Sequence, residues 1–335
     1  MTAVQYPVQS TASAASPAPA VSAGSDATLG ELLNSWYRAT ARPLPWREEG
    51  TSAWAVLLSE VMSQQTPVSR VEPLWRRWLE KWPAPADLAV APTDEVLREW
   101  ANLGYPRRAL RLRECAAAIV DRHDGRVPTD IADLLALPGI GGYTARAVAA
   151  FAFGTAVPVV DTNVRRVHRR LVRGEFLQGP ARSGDLGDVA DLMPWVDDDP
   201  DLLRRGYRNP VQDRSRRTEA LGMCASLMEL GAVVCTARSP KCTVCPVSSR
   251  CRWIALGRPE PSDADRAAAR RRVQKFEGTD RQVRGRIMAV LRDRGSAVDF
   301  PDAGPDPVQR ARALASLVTD GLVEKTNDGS YRLPR

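Results

Sequence analysis

Apolar residues recur at helical spacing along almost the whole chain from Thr28 onward. Clear examples lie over 30–40, 69–82 and 93–102, and each predicts an amphipathic helix. The alternating pattern of a β-strand is nearly absent before residue 320. Short linkers marked by proline separate the helical stretches, which is typical of helices joined by tight connections. The sequence therefore predicts an all-α fold.

Three stretches break this pattern. The N-terminal segment is rich in Ala, Ser, Pro and Val, and we expect a disordered tail over 1–27. Residues 178–217 are rich in Asp, Gly, Pro and Arg, which predicts a long, polar and mobile loop. Residues 257–280 are polar and contain several arginines, which predicts a basic linker.

The C-terminal segment predicts a small separate module over 281–335. Helices are expected near 281–293 and 306–319. A β-hairpin should follow, because Asp328 and Gly329 lie between two short stretches of alternating residues. Helices followed by such a hairpin predict a winged-helix-like α+β module.

The chain carries 47 Lys and Arg against 40 Asp and Glu, which gives a formal net charge of +7 and a pI near 9.3. This surplus of positive charge favours a polyanionic partner. No apolar run approaches the roughly 20 residues of a membrane span. The N-terminus also lacks the basic start and compact apolar core of a secretory signal. We therefore expect a cytoplasmic protein whose thiols stay reduced.

Four of the six cysteines fall within 235–251, in the spacing C-x6-C-x2-C-x5-C. These candidate metal ligands are Cys235, Cys242, Cys245 and Cys251. Four soft thiolates with one short spacing and two longer ones favour a [4Fe–4S] cluster. A structural zinc ion stays open as the alternative, although zinc more often uses two paired short spacings. Cys115 and Cys224 lie in apolar helical segments, where we expect small core residues.

The cysteine loop also carries basic side chains between its candidate ligands. Arg238, Lys241 and Arg250 lie there, and a metal centre would hold the loop rigid enough to present them to phosphate. We expect the cluster to serve structure first, because the loop has almost no core of its own.

The stretch SEVMSQQT, residues 59–66, ends a predicted helix whose apolar stripe includes Leu57, Leu58 and Val61. Glu60 lies on this helix, away from the centre of the stripe. A lone Glu in that position is ordinarily a solvated surface charge, since Glu is rarely buried without a partner. The alternative is a carboxylate that lines a cleft.

Residues 134–150, LLALPGIGGYTARAVAA, predict a helix, a glycine-rich turn and a second helix. Gly139 and Gly141 in that turn leave backbone N–H groups that can bind a phosphate. Asp161 follows, between an apolar run and a basic one, and is expected to cap a helix that begins near Asn163. A cap also fixes a carboxylate in space, so capping and a chemical role are compatible.

Taken in order, these stretches resemble the helix-hairpin-helix (HhH-GPD) superfamily of DNA base-excision glycosylases. The resemblance runs from about Leu44 to Cys251 and is most similar to the MutY-type, adenine-specific branch in its short actinobacterial form. The motifs that carry it are LPW, SEVMSQQT, NLGYPRRALRL, LPGIGGYTA, VVDTNVRR, MELGAVVC and the four-cysteine loop.

The resemblance implies a two-domain helix-hairpin-helix DNA glycosylase fold with a [4Fe–4S] cluster loop. Residues 28–50 and 162–256 would form the helical domain that holds the cluster. Residues 51–161 would form the domain that holds the hairpin. The partner implied is double-stranded DNA with an A:8-oxoguanine or A:G mispair, bound by a monomer associated with the nucleoid.

The resemblance also implies the catalytic residues. In the endonuclease III branch a lysine stands two positions after the hairpin Gly-x-Gly and forms an imine. Here that residue is Tyr143, which cannot, so a monofunctional hydrolase is implied. Glu60 matches the acid of the adenine-specific branch and would protonate the leaving base. Asp161 would stabilise the positive charge of the sugar, with Asn163 and Tyr143 orienting it.

A larger set of residues is implied for contacts with DNA. By resemblance, Gln65 and Tyr105 would wedge into the duplex, while Leu44, Trp46 and Arg47 would shape the base pocket. Leu44 and Trp46 could equally belong to the core. The implied DNA- and base-binding residues are Leu44, Trp46, Arg47, Gln64, Gln65, Thr66, Tyr105, Gly139, Gly141, Arg238 and Lys241.

The sequence departs from the family pattern at three points. Ala225 stands where several members carry a polar residue that meets adenine, and Pro106 replaces a second aromatic residue after Tyr105. The long C-terminal domain that reads 8-oxoguanine in many members is replaced by the 281–335 module. Two alternatives therefore stay open: a mismatch T or U glycosylase of the same superfamily, and a non-catalytic iron–sulfur DNA-binding regulator.

Overall fold

The computed structural model describes residues 27–193, 214–271 and 276–335. These residues are helical almost throughout, which confirms the prediction of an all-α fold with a small α+β module. Apart from Ala27, the predicted disordered tail lies outside the described residues. The chain divides into two compact units: unit 1 comprises Met1–Thr51 and Ala145–Val273, and unit 2 comprises Ser52–Thr144 and Gln274–Arg335.

In chain order the helices are α1 (Leu29–Thr40), α2 (Ala53–Met62), α3 (Val68–Lys81), α4 (Pro85–Ala89), α5 (Thr93–Glu99), α6 (Arg107–His123), α7 (Ile131–Leu135), α8 (Gly142–Phe153), α9 (Thr162–His168), α10 (Asp185–Ala190), α11 (Arg214–Val233), α12 (Arg252–Ala255), α13 (Asp263–Arg271), α14 (Asp280–Arg294) and α15 (Pro307–Thr319). The strands are β1 (Ser296–Ala297), β2 (Glu324–Lys325) and β3 (Tyr331–Arg332).

Unit 1 is built on the packing of α1 along α11. Helix α1 begins at a capping box, in which the Thr28 hydroxyl accepts from the Glu31 amide and the Glu31 carboxylate accepts from the Thr28 amide. The two helices approach closely at Gly222, where an added Cβ would lie 2.7 Å from the Asn34 side chain. Asn34 is itself buried and donates to the Glu219 carbonyl at 3.0 Å. A polar contact thus fixes how the two helices pack.

Unit 2 has a core of tryptophans on α2, α3 and the segment after α5. Trp78 makes edge-on contacts with Trp82 and Trp100, with ring centroids 4.7 Å and 5.5 Å apart. Four of these indole N–H groups donate to backbone carbonyls, those of Trp54, Trp75, Trp78 and Trp100, as in Trp54 to the Trp82 carbonyl at 3.1 Å. Aromatic rings of this size, with their N–H groups satisfied, fix the helices rigidly beneath the loops that follow α2 and α5.

The C-terminal module packs α14 against α15 and closes with a three-stranded antiparallel sheet in the order β1-β3-β2. Lys325 pairs with Tyr331 across the predicted hairpin, and Gly329 in the turn has φ +83°. The prediction of two helices and a hairpin is confirmed. Strand β1 was not predicted, because two residues are too few to show an alternating pattern.

Two predicted irregular segments are partly helical. Within 178–217, residues 185–190 form α10 and α11 begins at Arg214, while 194–213 lie outside the described residues. Within 257–280, residues 263–271 form α13. The prediction of irregular structure was wrong over 185–190 and 263–271. Helix α10 buries Val189 and Ala190 and is anchored by ion pairs such as Arg173 with Asp188 (2.8 Å), and Arg266 of α13 binds Glu260 at 2.6 Å. Among the described residues, no helix combines the length and apolar character needed to cross a membrane.

Candidate active site and metal centre

Glu60 lies in the last turn of α2, beside the fully buried Leu57 and Leu58. Its own side chain is half-buried. Ser52 caps the start of the helix by accepting from the Ala55 amide at 3.1 Å. The carboxylate is therefore carried by a rigid helix at the edge of the unit 2 core, which fits the expectation of a cleft-lining residue better than that of a fully solvated one.

The loop after α2 carries the next three candidates. Gln65 is exposed and has φ +56°, a left-handed conformation that is uncommon outside glycine. Its neighbours are anchored: Gln64 donates to the Thr144 hydroxyl at 3.3 Å, and the buried Thr66 donates to the Leu103 carbonyl at 3.0 Å. Gln65, with a strained backbone and an exposed side chain, thus lies between two anchored residues.

The loop after α5 has the same character. Tyr105 has φ +47° and is half-buried, and Gly104 before it has φ +79°. The Trp100 indole donates to the Gly104 carbonyl at 2.9 Å. Strained backbone concentrates at functional sites, so the left-handed conformations of Gln65 and Tyr105 support the expectation that both residues are functional.

Arg108 ties these two loops together. Its guanidinium group makes six hydrogen bonds to acceptors in the last turn of α2 and on both loops, and it has no carboxylate partner among the described residues. The acceptors are the carbonyls of Val61, Met62, Gln64, Leu103 and Gly104 and the hydroxyl of Thr66, at 2.8 to 3.2 Å. Burial lowers the pKa of Arg108 to about 10, which leaves the group charged at neutral pH.

The glycine-rich turn lies between α7 and α8. Gly139 has φ +77°, and an added Cβ would lie 2.8 Å from the Arg111 Cβ on α6, so only glycine fits there without strain. Gly141 is exposed and has nothing within 4 Å of an added Cβ, which leaves its backbone open to a ligand. Tyr143 is half-buried in the first turn of α8. A shallow pocket of about 130 Å³ in unit 2 is lined by Gln64, Arg108 and Gly139 among others.

Asp161 lies in unit 1 and caps α9, as predicted from the sequence. One carboxylate oxygen accepts from the Val164 amide and the other from the Asn163 amide side chain, both at 2.7 Å. Burial raises the pKa of Asp161, and these hydrogen bonds lower it by less, so the net shift is upward. The carboxylate is held in place and largely shielded from water. Its charge therefore acts more strongly on a neighbouring charged group than it would in bulk water.

Asn163 is itself held by a buried arginine. Arg166 donates to the Asn163 side chain at 2.7 Å, to the Gly231 carbonyl at 2.6 Å and to the Cys235 carbonyl at 2.7 Å. An added Cβ on Gly231 would lie 2.6 Å from the Asn163 Cβ, so only a glycine lets the backbone at position 231 approach Asn163 this closely. The chain of contacts connects Asp161 to the first cysteine of the loop.

The four cysteines lie on a loop with two 3-10 turns, Cys242–Val244 and Ser248–Arg250. All four thiols are free and half-buried. Arg170 is only 2% exposed and donates to the Cys235 sulfur at 3.3 Å and to the Thr236 carbonyl at 2.7 Å. Burial raises the pKa of the Cys235 thiol, and the charge and hydrogen bond of Arg170 lower it by less, so the net shift is upward. The guanidinium group thus offsets part of the cost of forming the thiolate, which is the form that binds metal.

The chemistry of the donor set fits an iron–sulfur cluster. All four candidate ligands are thiols on one folded loop, and soft thiolates are the donors that hold such clusters. Zinc also takes four thiolates.

Three residues expected at the base pocket lie in unit 1 beside α1. Leu44 is 8% exposed and belongs to the core, and Trp46 is half-buried. Arg47 donates to the Glu229 carboxylate at 3.0 Å, and Arg42 donates to both oxygens of the same carboxylate at 2.6 and 2.9 Å. The structure therefore uses Arg47 in a buried ion pair.

Sequence reasoning did not identify Glu229, Arg108, Arg166 or Arg170 as functional. Glu229 is fully buried, and burial raises its pKa. The hydrogen bond from Arg42 and the charges of Arg47 and Arg42 lower the pKa by more, so the net shift is downward. The available signal was weak, because all four residues stand inside quoted motifs or basic runs without spacing that singles them out. Arg238 and Lys241, which were predicted to contact DNA, are exposed on the cysteine loop.

Two stretches of the chain match families of known proteins. Residues 58–176 match the HhH-GPD superfamily of base excision DNA repair proteins. Residues 235–251, which contain the four cysteines, match the iron–sulfur binding domain of endonuclease III. The adenine DNA glycosylase of Mycolicibacterium smegmatis is 52% identical over 307 residues, covering 90% of this chain and 94% of the relative. The chain belongs to the adenine DNA glycosylase family.

Other family members agree. The adenine DNA glycosylase of Mycobacterium tuberculosis is 47% identical over 311 residues, covering 90% of this chain and 92% of that protein. The human family member is 40% identical over 232 residues, which is 67% of this chain but 38% of the human protein. The predicted family and the iron–sulfur cofactor are confirmed.

Solved structures show the same fold. A thermostable thymine-DNA glycosylase matches with a TM-score of 0.55 at 25% identity, covering 68% of this chain and 95% of that one. Endonuclease III in a trapped covalent DNA complex matches with a TM-score of 0.54 at 23% identity and shares the fold. The chain is thus a DNA-binding base-excision glycosylase of the helix-hairpin-helix class.

Proposed function

We propose that this chain is a monofunctional DNA glycosylase that hydrolyses the N-glycosidic bond of adenine mispaired with 8-oxoguanine or G. The observation that carries the proposal is the 52% identity to an adenine DNA glycosylase along 90% of the chain. Tyr143 supports the monofunctional reaction, because a phenol cannot form the imine that leads to cutting of the backbone.

Glu60 is proposed as the general acid. Adenine leaves poorly as an anion, so a proton must reach the base while the bond from C1′ to N9 breaks. A half-buried carboxyl group on a rigid helix can give up that proton to a flipped-out base. Water then supplies the oxygen that attaches to C1′, and an abasic site and free adenine remain.

Asp161 is proposed to stabilise the sugar as it becomes positively charged. A carboxylate held by two hydrogen bonds of 2.7 Å does not have to reorganise when the charge develops. Asn163 holds one of its oxygens, and Tyr143 is proposed to help orient the reacting centre. Asp161 must be ionised for this role, although burial raises its pKa.

Binding of the duplex is proposed to use the two strained loops and the glycine-rich turn of unit 2. Gln65 and Tyr105 would enter the stack, supported by Gln64 and Thr66, and the backbone at Gly139 and Gly141 would bind a phosphate. In unit 1, Arg238 and Lys241 would contact phosphates, and Trp46 with Leu44 and Arg47 would support the base pocket. The four cysteines would hold the [4Fe–4S] cluster, which keeps their loop folded.

The protein is proposed to act as a monomer on chromosomal DNA in the cytoplasm. The base opposite the adenine is proposed to be 8-oxoguanine or G, and the 281–335 module stands where many family members carry a longer domain. The thymine-DNA glycosylase among the solved structures makes excision of T the competing outcome to test.

A glycosylase assay tests the proposal directly. Labelled duplexes with A, T or U opposite 8-oxoguanine or G are incubated with cluster-replete protein, treated with alkali and examined for strand breaks. Release of A that is abolished in Glu60→Gln and Asp161→Asn is the expected result. Release of T or U instead of A, full activity of Glu60→Gln, or no base release from any duplex would refute it.

A further inference from the structure

The C-terminal module docks on the segment of unit 2 that contains Tyr105. Asp320 at the end of α15 binds Arg107 at 3.2 Å and Arg284 at 2.6 Å, so one carboxylate joins α6 to α14. Arg98 at the end of α5 donates to the Arg292 carbonyl at 2.6 Å. The module therefore contacts residues that precede and follow Tyr105 in the sequence.

Arg281, in the first turn of α14, reaches the Tyr105 ring itself. Its guanidinium carbon lies 4.4 Å from the centroid of Tyr105 and 5.4 Å from that of Phe276. The neighbouring carboxylate of Asp280 is occupied by Arg312 in a bidentate pair, with both distances 2.7 Å. Arg281 is therefore left to stack on the aromatic ring, a contact for which a planar guanidinium is well suited.

We propose that Arg281 is a positioning residue for Tyr105, through which the C-terminal module fixes the ring for its entry into the duplex. This inference rests on the proposed function, in which Tyr105 enters the stack beside the mispair. Tyr105 has φ +47°, and its backbone alone would favour other conformations. A cation stacked on the ring restricts its rotation before DNA arrives, and that lowers the cost of ordering it on binding.

Charge argues against a module that acts mainly by binding phosphate. Residues 276–335 contain ten Lys and Arg and nine Asp and Glu, a net charge of +1. Several of these arginines are also paired, as in Arg284 with Asp320 and Arg332 with Glu324. The module is thus close to neutral. Its Arg281 side chain contacts the ring of Tyr105, the residue proposed to enter the duplex.

The test compares full-length variants for binding to a duplex with an A:G mispair and to the same duplex fully paired. Arg281→Gln should weaken binding of the mispaired duplex roughly two- to fivefold and leave the paired duplex unchanged. Arg281→Lys, which keeps the charge without the planar group, should fall between. Arg286→Gln removes the same charge from the same helix without touching Tyr105 and should match the wild type. A 2-aminopurine next to the mispair should show less unstacking only with the Arg281 variants.

A double-mutant cycle separates positioning from direct contact with DNA. The effect of Arg281→Gln should persist in a Tyr105→Phe background and vanish in a Tyr105→Ala background. Equal loss on both duplexes, the same loss without the Tyr105 ring, or no loss at all would overturn the inference. Because these readouts are binding and fluorescence, a wild-type chain that releases no adenine would refute the proposed function and still leave the cycle interpretable.

Discussion

Replacing Arg108 with methionine should loosen both loops that carry the proposed wedge residues. The guanidinium group contacts six acceptors, two in the last turn of α2 and four on those loops, whereas Thr66 joins the loops by one hydrogen bond to the Leu103 carbonyl. Arg108 is half-buried, and its removal leaves several carbonyls without their donor, at a total cost of about 3 kcal/mol. For a unit of this size, about 3 kcal/mol corresponds to a fall of roughly 6–12 °C in Tm.

Arg108→Lys provides the graded comparison. The six contacts of Arg108 come from its two terminal NH2 groups, which together have four N–H, whereas an ammonium group has three N–H on a single nitrogen that cannot reach both loops as a planar fork does. We therefore expect an intermediate loss of about 1.5 kcal/mol. Arg107→Met is the matched control, because Arg107 is 58% exposed and makes a surface ion pair with Asp320 at 3.2 Å. A pair of that kind contributes less than about 1 kcal/mol.

Denaturant unfolding measures the free energies, and hydrogen exchange localises the effect. Faster exchange of the amides over 63–66 and 103–105 in Arg108→Met is expected, with little change in the amides of α3. The ratio of the affinities of Arg108→Met for mispaired and fully paired duplex should also be lower than that of the wild type. The reasoning would be refuted by an unfolding free energy within about 0.5 kcal/mol of wild type, or by a lysine variant indistinguishable from wild type.

Three further predictions concern the hairpin, the carboxylate and the cluster. Gly139→Ala should cost about 1–3 kcal/mol and weaken duplex binding, because the residue has φ +77° and its new Cβ would lie 2.8 Å from the Arg111 Cβ; thermal unfolding and titration with DNA measure both. The rate of base release should fall with decreasing pH as Asp161 takes up a proton, with a midpoint above the ordinary 3.8, since burial raises this pKa. Asn163→Ala removes a hydrogen bond that lowers the pKa, so the midpoint should move to higher pH in a pH–rate profile. Cys245→Ser should remove the visible absorption of the cluster and expose 235–251 to limited proteolysis.

The helices could be predicted because burial imposes a period on the sequence. The stretches 30–40 and 69–82 correspond to α1 and α3 within a residue or so at each end. Helix α10 could not, because its six residues are too few to show a period: only Val189 and Ala190 are buried apolar residues, and ion pairs such as Arg165 with Asp185 at 2.7 Å complete its anchoring. Short polar helices leave no periodic pattern in the sequence.

The residues of the candidate site could be named from motifs, but their supports could not. Asp161 was predicted as a helix cap and is one, because a cap is a local interaction that the neighbouring sequence determines. Glu229 and Arg42 are far apart in the chain, and nothing in either segment marks the other as its partner. Pairing over such distances is decided by the tertiary fold, which spacing and composition do not encode directly.

The left-handed conformations of Gln65 and Tyr105 connect these findings. Each such residue costs on the order of 1 kcal/mol, and a free loop would relax to avoid it. Arg108 holds the backbone of both loops and Arg281 contacts the ring of one, so the cost is offset by interactions formed when the protein folds. Because Gln65 and Tyr105 are already ordered in the free protein, their ordering adds little cost when the protein binds the duplex. The energy of the DNA contact can then go into unstacking the base, which itself costs a few kcal/mol. On this reasoning, loss of either arginine should affect recognition of the mispair more than affinity for paired DNA.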